Sequence, residues 1–279
     1  DMKIDQFAAM NMVYQRYSFE YFLKSMDKQG IKSFEFWTGG SHLNIDFDSL
    51  SDVKSFKREI DAHELRMVCL TPEQVTYPYN IAAADKELRE KSLEYFFRYI
   101  DVASELGIDK LLCCSGWGDY DEPREEAWKR SVDGLWKMTE YANKKKVILA
   151  FEILQAMETN LVNDLETTKR MMDTIKDPYF KLCVDLVPVR VNGNTLLDYF
   201  NEFGDRICHI HLTDGDPSGH VPLGLGSTPV KEHLETLDKV NYQGDITLEI
   251  GDSSWWADPE KATEIGFTTL KKVLVERQK

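Results

Sequence analysis

Short apolar runs alternate along the chain with longer segments of mixed polarity. The short runs are rich in β-branched, aromatic and sulfur-containing residues, which is typical of strands buried in a parallel sheet. In the longer segments apolar residues recur every three or four positions, which is typical of amphipathic helices. We predict strands over residues 3–10, 33–37, 66–71, 110–114, 146–153, 180–187, 206–212 and 245–250. We predict helices over residues 18–30, 48–64, 85–106, 123–144, 164–176, 195–203, 230–240 and 258–276.

The strict alternation of strand and helix predicts an α/β fold with a parallel sheet. Connections from helix to strand are short and carry glycines such as Gly30 and Gly107, whereas residues 72–84, 154–163 and 213–229 form long connections from strand to helix. Eight such units close a (β/α)8 TIM barrel, whose long loops gather at the carboxyl ends of the strands. We therefore expect a single TIM-barrel domain over residues 1–279, with its functional site at that end.

Composition and charge indicate which binding partners and which cellular compartment to expect. The 279 residues carry a formal charge of −14, so the average surface would repel nucleic acid. No apolar run approaches the roughly 18 residues of a membrane span. The five cysteines, an odd number, all lie in predicted strands, and the chain shows no signal peptide, so we expect a cytoplasmic protein with reduced thiols.

Four of the apolar runs end on an ionisable side chain: Glu152, Asp185, His211 and Glu249. They are 26 to 38 residues apart, about one strand-loop-helix unit each, so they should converge at one mouth of the barrel. Three carboxylates that close would repel one another unless a cation lies between them. Oxygen ligands with one nitrogen suit Mn²⁺ or Mg²⁺ before Zn²⁺. Any single acid could instead cap a helix or solvate a loop.

The positions of the two glutamates suggest a reaction. Glu152 and Glu249 follow the fifth and eighth predicted strands and could approach a small substrate from opposite sides. A metal chelated by a ketone oxygen and the neighbouring hydroxyl would acidify the adjacent C–H. One carboxylate would remove that proton and the other would return it through a metal-bound enediolate, inverting the carbon. Return to the carbonyl carbon would give aldose-ketose isomerisation, which this ligand set does not distinguish from epimerisation.

With these residues in place, the sequence resembles the sugar isomerase/epimerase superfamily of xylose-isomerase-like barrels, and within it the ketose 3-epimerases. The resemblance covers essentially the whole chain. It implies a divalent metal, usually Mn²⁺ with Mg²⁺ or Co²⁺ as alternatives and Zn²⁺ less suited, held by Glu152, Asp185, His211 and Glu249. It also implies that Glu152 and Glu249 act as acid and base on a small sugar, in a homodimer or homotetramer.

Further candidates lie in the loops and strands around these ligands. Glu158 resembles the family carboxylate that contacts the C1-C2 end of the substrate, although it could also be a solvated loop acid. His220 lies in a glycine-rich loop, 219–226, and is expected to contact substrate or a metal ligand. His209 shares a strand face with His211 and is either a core histidine or a support for it. Trp37 and Trp117 end the second and fourth strands and could stack on a sugar or serve packing alone.

Two positions depart from the free-ketohexose 3-epimerases. Pro188 and Pro217 stand where those enzymes carry a His and an Arg that donate hydrogen bonds to the substrate's C1-C2 end. The segments 71–73 and 77–82, and the proline after Asp185, look more like the fructoselysine 3-epimerase branch, in which the ketose carries an amine-linked side chain. Arg190 could replace a lost donor or lie exposed on the surface.

Three rival functions use related scaffolds. Endonucleases of abasic DNA need about five histidine ligands, but this chain has six histidines, of which His63 and His233 fall in predicted helices. Inosose and dehydroshikimate dehydratases share the metal ligands and the enolisation step, and the sequence leaves them open. A non-catalytic binding barrel would leave the metal ligands without a purpose.

Overall fold

The computed structural model describes residues 2–75 and 78–277 and confirms the predicted barrel. Eight parallel strands pair in chain order, and β8 pairs with β1 to close the sheet. The strands are β1 Phe7–Met10, β2 Ser33–Trp37, β3 Arg66–Thr71, β4 Lys110–Cys113, β5 Ile148–Glu152, β6 Phe180–Asp185, β7 Ile207–Leu212 and β8 Asp245–Leu248.

The helices surround the barrel. The eight predicted helices are all present, and the described residues contain one further short helix, after the sixth strand, that the sequence did not predict. The helices are α1 Phe19–Gln29, α2 Leu50–Ala62, α3 Lys86–Leu106, α4 Arg124–Lys145, α5 Leu165–Thr174, α6 Leu186–Val191, α7 Leu196–Phe203, α8 Val230–Lys239 and α9 Pro259–Glu276. Gly30 and Gly107 end α1 and α3 with φ of 68° and 73°, the left-handed conformation that glycine adopts without strain. Within the described residues, no helix is long and apolar enough to cross a membrane.

Several predicted strands were too long at one or both ends, and two of these differences have a clear physical cause. The first strand begins at Phe7, because Ile4–Gln6 form a turn of 3₁₀ helix. The sixth strand ends at Asp185, because the Asp185 carboxylate accepts a hydrogen bond from the Val187 amide and opens the short helix α6. Pro188 is accommodated in the first turn of α6, where its missing N–H has no intrahelical partner to lose.

The barrel interior is narrow and changes in polarity along its axis. Ala8, Cys69, Leu112, Ala150 and Cys183 form a layer of buried residues within the sheet. The larger residues on the other strand faces, such as Phe34, Phe36 and Phe151, join the main core that includes the helices. All five cysteines are free thiols, as expected for a chain without a disulfide framework. The small side chains inside the barrel leave room for polar groups above and below them.

An ion triad joins β3, β4 and β8 at the amino end of the barrel. The Asp245 carboxylate lies 2.7 Å from Arg66 Nη2 and 3.1 Å from Lys110 Nζ. The Lys110 side chain is only 9% exposed, so its ammonium depends on Asp245 for compensation. Asp109 lies 3.7 Å from the same ammonium, but its side chain is 73% exposed.

We predict that Asp245→Ala destabilises the barrel strongly, because it leaves the buried Lys110 ammonium with little compensation. The expected loss in the free energy of unfolding is about 3 kcal/mol, measured by urea denaturation. The control Asp109→Ala removes an exposed partner of the same lysine and should cost less than about 1 kcal/mol. Equal effects of the two substitutions would contradict this account.

Candidate metal centre at the carboxyl end of the barrel

The structure brings the four predicted metal ligands together at the carboxyl ends of β5 to β8. One ligand atom from each of Glu152, Asp185, His211 and Glu249 lies within 4.8 Å of the others. Parallel pairing places Asp185 of β6 beside His211 of β7, which explains how residues far apart in sequence meet. Glu152, Asp185 and His211 are buried, and the Glu249 side chain is 13% exposed.

His211 is the centre of this cluster. Its Nδ1 lies 2.8 Å from Glu152 Oε1 and 2.9 Å from Glu249 Oε2. The buried Glu249 Oε2 is nevertheless without a hydrogen bond, and Asp185 uses one oxygen to accept from the Val187 amide. The cluster therefore holds an unsatisfied buried oxygen and three carboxylates around one imidazole nitrogen. These donors are consistent with a site for a divalent metal ion.

The two glutamates have pKa values shifted in opposite directions. Burial raises the pKa of Glu152 to about 8, and the charges of Glu249 and Asp185 add to this effect against the opposing influence of His211. Burial also acts to raise the pKa of Glu249, but the nearby His211 and His220 outweigh it and hold this pKa below its usual value. Two similar side chains in one site are thus set up for different protonation states.

The histidines carry the positive charge that the cluster needs in the metal-free chain. Burial disfavours the charged His211, but the surrounding acidic groups raise its pKa well above the usual value. His220 is likewise opposed by burial, and Glu249 and Asp185 raise its pKa to about 10. A metal ion between the carboxylates would replace the proton on His211 Nδ1, because a ligating imidazole must be neutral there. The residues present therefore fit a bound cation.

Glu35 and His209 belong to the same network, and the sequence analysis did not identify Glu35. Glu35 lies in the middle of β2, is fully buried, and contacts both His209 and His211. His209 Nε2 lies 2.8 Å from the same Glu35 oxygen that His211 Nε2 contacts at 3.1 Å, so the two histidines share one carboxylate. The signal in the sequence was a single carboxylate within the apolar run 33–37, on the strand face opposite Phe34 and Phe36.

His220 lies over the cluster, as the sequence predicted. Its Nε2 is 3.9 Å from both Asp185 Oδ2 and Glu249 Oε2. Its carbonyl oxygen accepts hydrogen bonds from the Gly251 and Asp252 amides, which fastens its loop to the segment after β8. His220 therefore contributes a positive charge at the mouth of the site.

Glu158 and Trp117 line a groove beside the cluster. This groove has a volume of about 550 Å³. Its lining residues also include Asp119, Tyr120 and Asp121. Burial raises the pKa of Glu158, and its Oε2 accepts a hydrogen bond from the Gln155 amide at 2.8 Å. Both predicted residues thus lie where a substrate group could reach them.

The segment 77–82 helps to position Trp117. Tyr77 lies outside the described residues. The Asn80 side chain donates to the Trp117 carbonyl at 2.8 Å and accepts from the Trp117 amide at 3.1 Å. Two connections at the carboxyl end of the barrel, those after β3 and β4, are thereby tied together.

Trp37 and Arg190 are both held by protein contacts. The Trp37 ring is 6% exposed, donates to Glu73 Oε2 at 3.2 Å and packs closely against Gly39 and Gly40. Arg190 in α6 donates to Thr228 Oγ1 and to the Ser227 carbonyl and hydroxyl. These contacts favour packing for Trp37 over sugar stacking. They favour a brace on the β7–α8 connection for Arg190 over the predicted donor to substrate.

The fold agrees with comparisons to known proteins. A sequence model of the family described as xylose isomerase-like TIM barrel matches residues 23–273. The chain belongs to this family. It is 26% identical to the fructoselysine 3-epimerase of Shigella flexneri over 239 residues, which cover 85% of this chain and 87% of that protein.

Two more relatives show the breadth of this xylose isomerase-like family. An L-ribulose-5-phosphate 3-epimerase of Shigella flexneri serotype 5b is 26% identical over 62% of this chain and 60% of its own length. The crystal structure of D-psicose 3-epimerase from Clostridium cellulolyticum H10 with D-tagatose superposes with a TM-score of 0.82 at 16% identity, covering 97% of this chain and 99% of that one. The last comparison supports the fold.

Asp214 organises the connection that carries His220. Its carboxylate accepts hydrogen bonds from the amides of Gly215, Gly224 and Thr228 at 2.8 to 2.9 Å. Burial acts to raise its pKa, but these backbone donors outweigh burial and lower it. A single buried carboxylate thus holds three points of one loop.

We predict that Asp214→Ala loosens residues 213–229 without unfolding the barrel. Hydrogen-deuterium exchange should become faster in this loop and stay unchanged in β6, and the free energy of unfolding should fall by about 2–3 kcal/mol, because hydrogen bonds to a charged group are lost. The matched control is Asp216→Ala, which removes an exposed carboxylate from the same loop. Unchanged exchange in Asp214→Ala would show that the loop is held by other contacts.

Proposed function

We propose that this chain is a metal-dependent carbohydrate epimerase that inverts carbon 3 of a ketose or a ketose derivative. The observation that carries the proposal is the pair Glu152 and Glu249, which approach His211 Nδ1 to 2.8 and 2.9 Å and have pKa values shifted apart. Such a pair supplies one acid and one base for moving a proton on and off a carbon. The carbohydrate epimerases among its relatives support this chemistry.

The proposed cofactor is one divalent cation held by Glu152, Asp185, His211 and Glu249. Mn²⁺ is favoured, with Mg²⁺ or Co²⁺ as alternatives, because three of the four donors are carboxylates. Zn²⁺ is less suited, because these four residues offer one imidazole and no thiol. When bound, the cation would polarise the substrate ketone and acidify the neighbouring C–H.

The chain's own residues carry the proton. With one glutamate ionised and the other protonated, the ionised one removes the proton from carbon 3, and the electron pair moves into the enediolate. The second glutamate donates its proton to the opposite face of the same carbon, which inverts it. Each turnover leaves the first glutamate protonated and the second ionised. Proton exchange with water then restores their starting protonation states. Reversal of the roles catalyses the opposite direction.

The charges at the mouth favour a substrate without a phosphate. Glu152, Asp185, Glu249 and Glu158 face the site with His220 as the nearby cation, and Arg190 is engaged by its own loop. Asp119 and Asp121 add negative charge to the groove beside Trp117, whose ten lining residues include neither Lys nor Arg. A phosphate would meet like charges here. We therefore favour an unphosphorylated ketose whose substituent extends into this groove, as in the fructoselysine branch.

Free thiols support the proposed cytoplasmic location. All five cysteines are unpaired, and four of them are buried. Proteins of oxidising compartments more often use their cysteines in disulfides.

We predict that the protein, loaded with Mn²⁺ or Mg²⁺, exchanges one proton at carbon 3 of its ketose substrate when incubated in D₂O. Glu152→Gln and Glu249→Gln should each lower kcat at least about 100-fold, because each removes an acid-base group. Glu166→Gln, an exposed substitution on α5, is the matched control and should leave kcat unchanged. Proton NMR on fructose, psicose, tagatose and fructoselysine would follow both the exchange and the second epimer.

The same spectra separate the alternatives. Exchange at carbon 1 or 2 with an aldose product would make the chain an isomerase. Loss of water from an inosose or dehydroshikimate, without exchange in any ketose, would assign it to the dehydratases of the superfamily. No proton exchange on any substrate, with metal bound, would favour a binding barrel.

We also predict discrimination against phosphorylated sugars. The kcat/KM for the best unphosphorylated ketose should exceed that for ribulose 5-phosphate by at least about tenfold, because about 1.4 kcal/mol of charge repulsion already produces that ratio. The ratio should shrink as salt screens the exposed aspartates. A higher kcat/KM for the phosphorylated ketose would refute the claim that negative charge at the mouth of the barrel disfavours a phosphate.

A further inference from the structure

We propose that Glu35 and His209 are positioning residues that fix the His211 ring so that Nδ1, and not Nε2, binds the cation. The inference rests on the proposed metal centre and assigns roles to two residues that do not themselves belong to the four ligands. It concerns which nitrogen of His211 is presented to the ion and how firmly it is held there.

Glu35 lies in the barrel interior and contacts the imidazole rings of both His209 and His211. Its Oε1 is within hydrogen-bond distance of both histidines, 2.8 Å from His209 Nε2 and 3.1 Å from His211 Nε2. Its Oε2 also lies 2.8 Å from His211 Nε2, as an ion-pair contact without hydrogen-bond geometry. The opposite nitrogen of His211 faces Glu152 and Glu249. The ring is therefore held between carboxylates on both sides, with its two nitrogens in different environments.

This arrangement decides which nitrogen carries the proton when a cation is bound. A carboxylate accepts hydrogen bonds but does not donate them, so the His211 Nε2 that faces Glu35 carries the hydrogen. The lone pair of a neutral His211 is then on Nδ1, directed at the carboxylates of the proposed centre. The negative charge of Glu35 also makes the imidazole a stronger ligand.

His209 acts on His211 through Glu35. The two histidine rings lie 5.3 Å apart at 82° to each other, so they meet edge to face and do not share a hydrogen bond. His209 Nε2 is held between Glu35 Oε1 at 2.8 Å and Thr247 Oγ1 at 3.2 Å. His209 therefore restrains the Glu35 oxygen that also contacts His211 Nε2.

The burial of this trio argues against an incidental contact. Glu35, His209 and His211 are each 0% exposed, and a carboxylate in such a place is costly unless it is paired. Apolar side chains, such as those of Leu112 and Ala150 in the same layer, would fill this space without burying a charge. Glu35 and His209 pair in register with Cys69 and Cys183 of that layer, and His211 lies two residues further along β7, beside Asp185.

The test measures binding of Mn²⁺ alone, by the loss of the free-ion electron paramagnetic resonance signal on titration into metal-free protein. Glu35→Gln has nearly the same shape and should weaken Mn²⁺ binding about 10- to 100-fold. His209→Gln should weaken it less, since Glu35 remains. The double variant should bind about as weakly as Glu35→Gln, because His209 acts through Glu35.

A second readout needs no substitution. In protein loaded with diamagnetic Mg²⁺, long-range ¹⁵N NMR of the histidine rings should find the His211 proton on Nε2. A proton on Nδ1 would overturn the inference. This measurement decides the question even where a variant fails to fold.

The control is Cys69→Ser in the same barrel layer. Cys69 is fully buried near Glu35 and His209, but its thiol donates a hydrogen bond to the Leu70 carbonyl and its sulfur accepts one from the Thr71 hydroxyl. The Mn²⁺ affinity of Cys69→Ser should stay within about twofold of that of the unsubstituted chain. This change is much smaller than the loss of affinity expected when a positioning residue is removed. If Cys69→Ser lost as much Mn²⁺ affinity as Glu35→Gln, the loss would reflect general damage to the core. That result would contradict the inference.

The remaining outcomes separate this inference from the metal centre itself. Mn²⁺ binding by the unsubstituted chain with the same affinity in Glu35→Gln would overturn the positioning role alone. No Mn²⁺ binding by the unsubstituted chain would overturn the metal centre and the positioning role together. Two bound ions, one of them lost in Glu35→Gln, would make Glu35 a ligand with Cys69 and His209 and would also overturn it.

Discussion

Three carboxylates enclose one imidazole at the mouth of the barrel, and the need to compensate their charge governs the rest of the site. Glu152, Asp185 and Glu249 are largely removed from water, where their mutual repulsion is poorly screened. In the metal-free chain protonated histidines supply the compensation. The proposed divalent cation would supply it more fully. Glu35 and His220 lie on two sides of this cluster, Glu35 against His211 and His220 near Asp185 and Glu249.

The charged side chains proposed to stabilise the fold and those proposed to react lie at opposite ends of the barrel. At the amino end of the barrel, the Asp245 carboxylate pairs with both Arg66 and Lys110, and the exposed Asp109 lies near Lys110 as a second anion. At the carboxyl end, negative charge is left in excess, and Glu249 keeps a buried oxygen without a hydrogen bond. The connections there are tied by backbone-directed side chains such as Asp214 and Asn80. The barrel itself is closed by the pairing of β8 with β1.

Local patterns were sufficient to predict the barrel and its four proposed ligands. Strand and helix periodicity repeats eight times, and Glu152, Asp185, His211 and Glu249 recur at equivalent strand ends, so their convergence follows from topology. Glu35 was missed because its partners come from β7, five strands later in the chain. A lone carboxylate within an apolar strand shows no spacing that would reveal such a partner.

The substrate-contact predictions depended more on tertiary detail. Arg190 was a candidate donor because it follows the sixth strand, but a helix beginning at Leu186 turns it toward Ser227 and Thr228. Trp37 ends its strand as expected, yet Gly39 and Gly40 fold against its ring. Loop conformation decides these contacts, and loop conformation is set by neighbours that local sequence does not specify.

The measurement that tests the central claim most directly is a crystal structure of the protein soaked in Mn²⁺, with diffraction data collected at the manganese absorption edge. The account predicts one strong anomalous peak bonded to His211 Nδ1 and to a carboxylate oxygen from each of Glu152, Asp185 and Glu249, at about 2.0–2.3 Å. A peak elsewhere in the barrel, a bond through His211 Nε2, or no peak at saturating Mn²⁺ would contradict it.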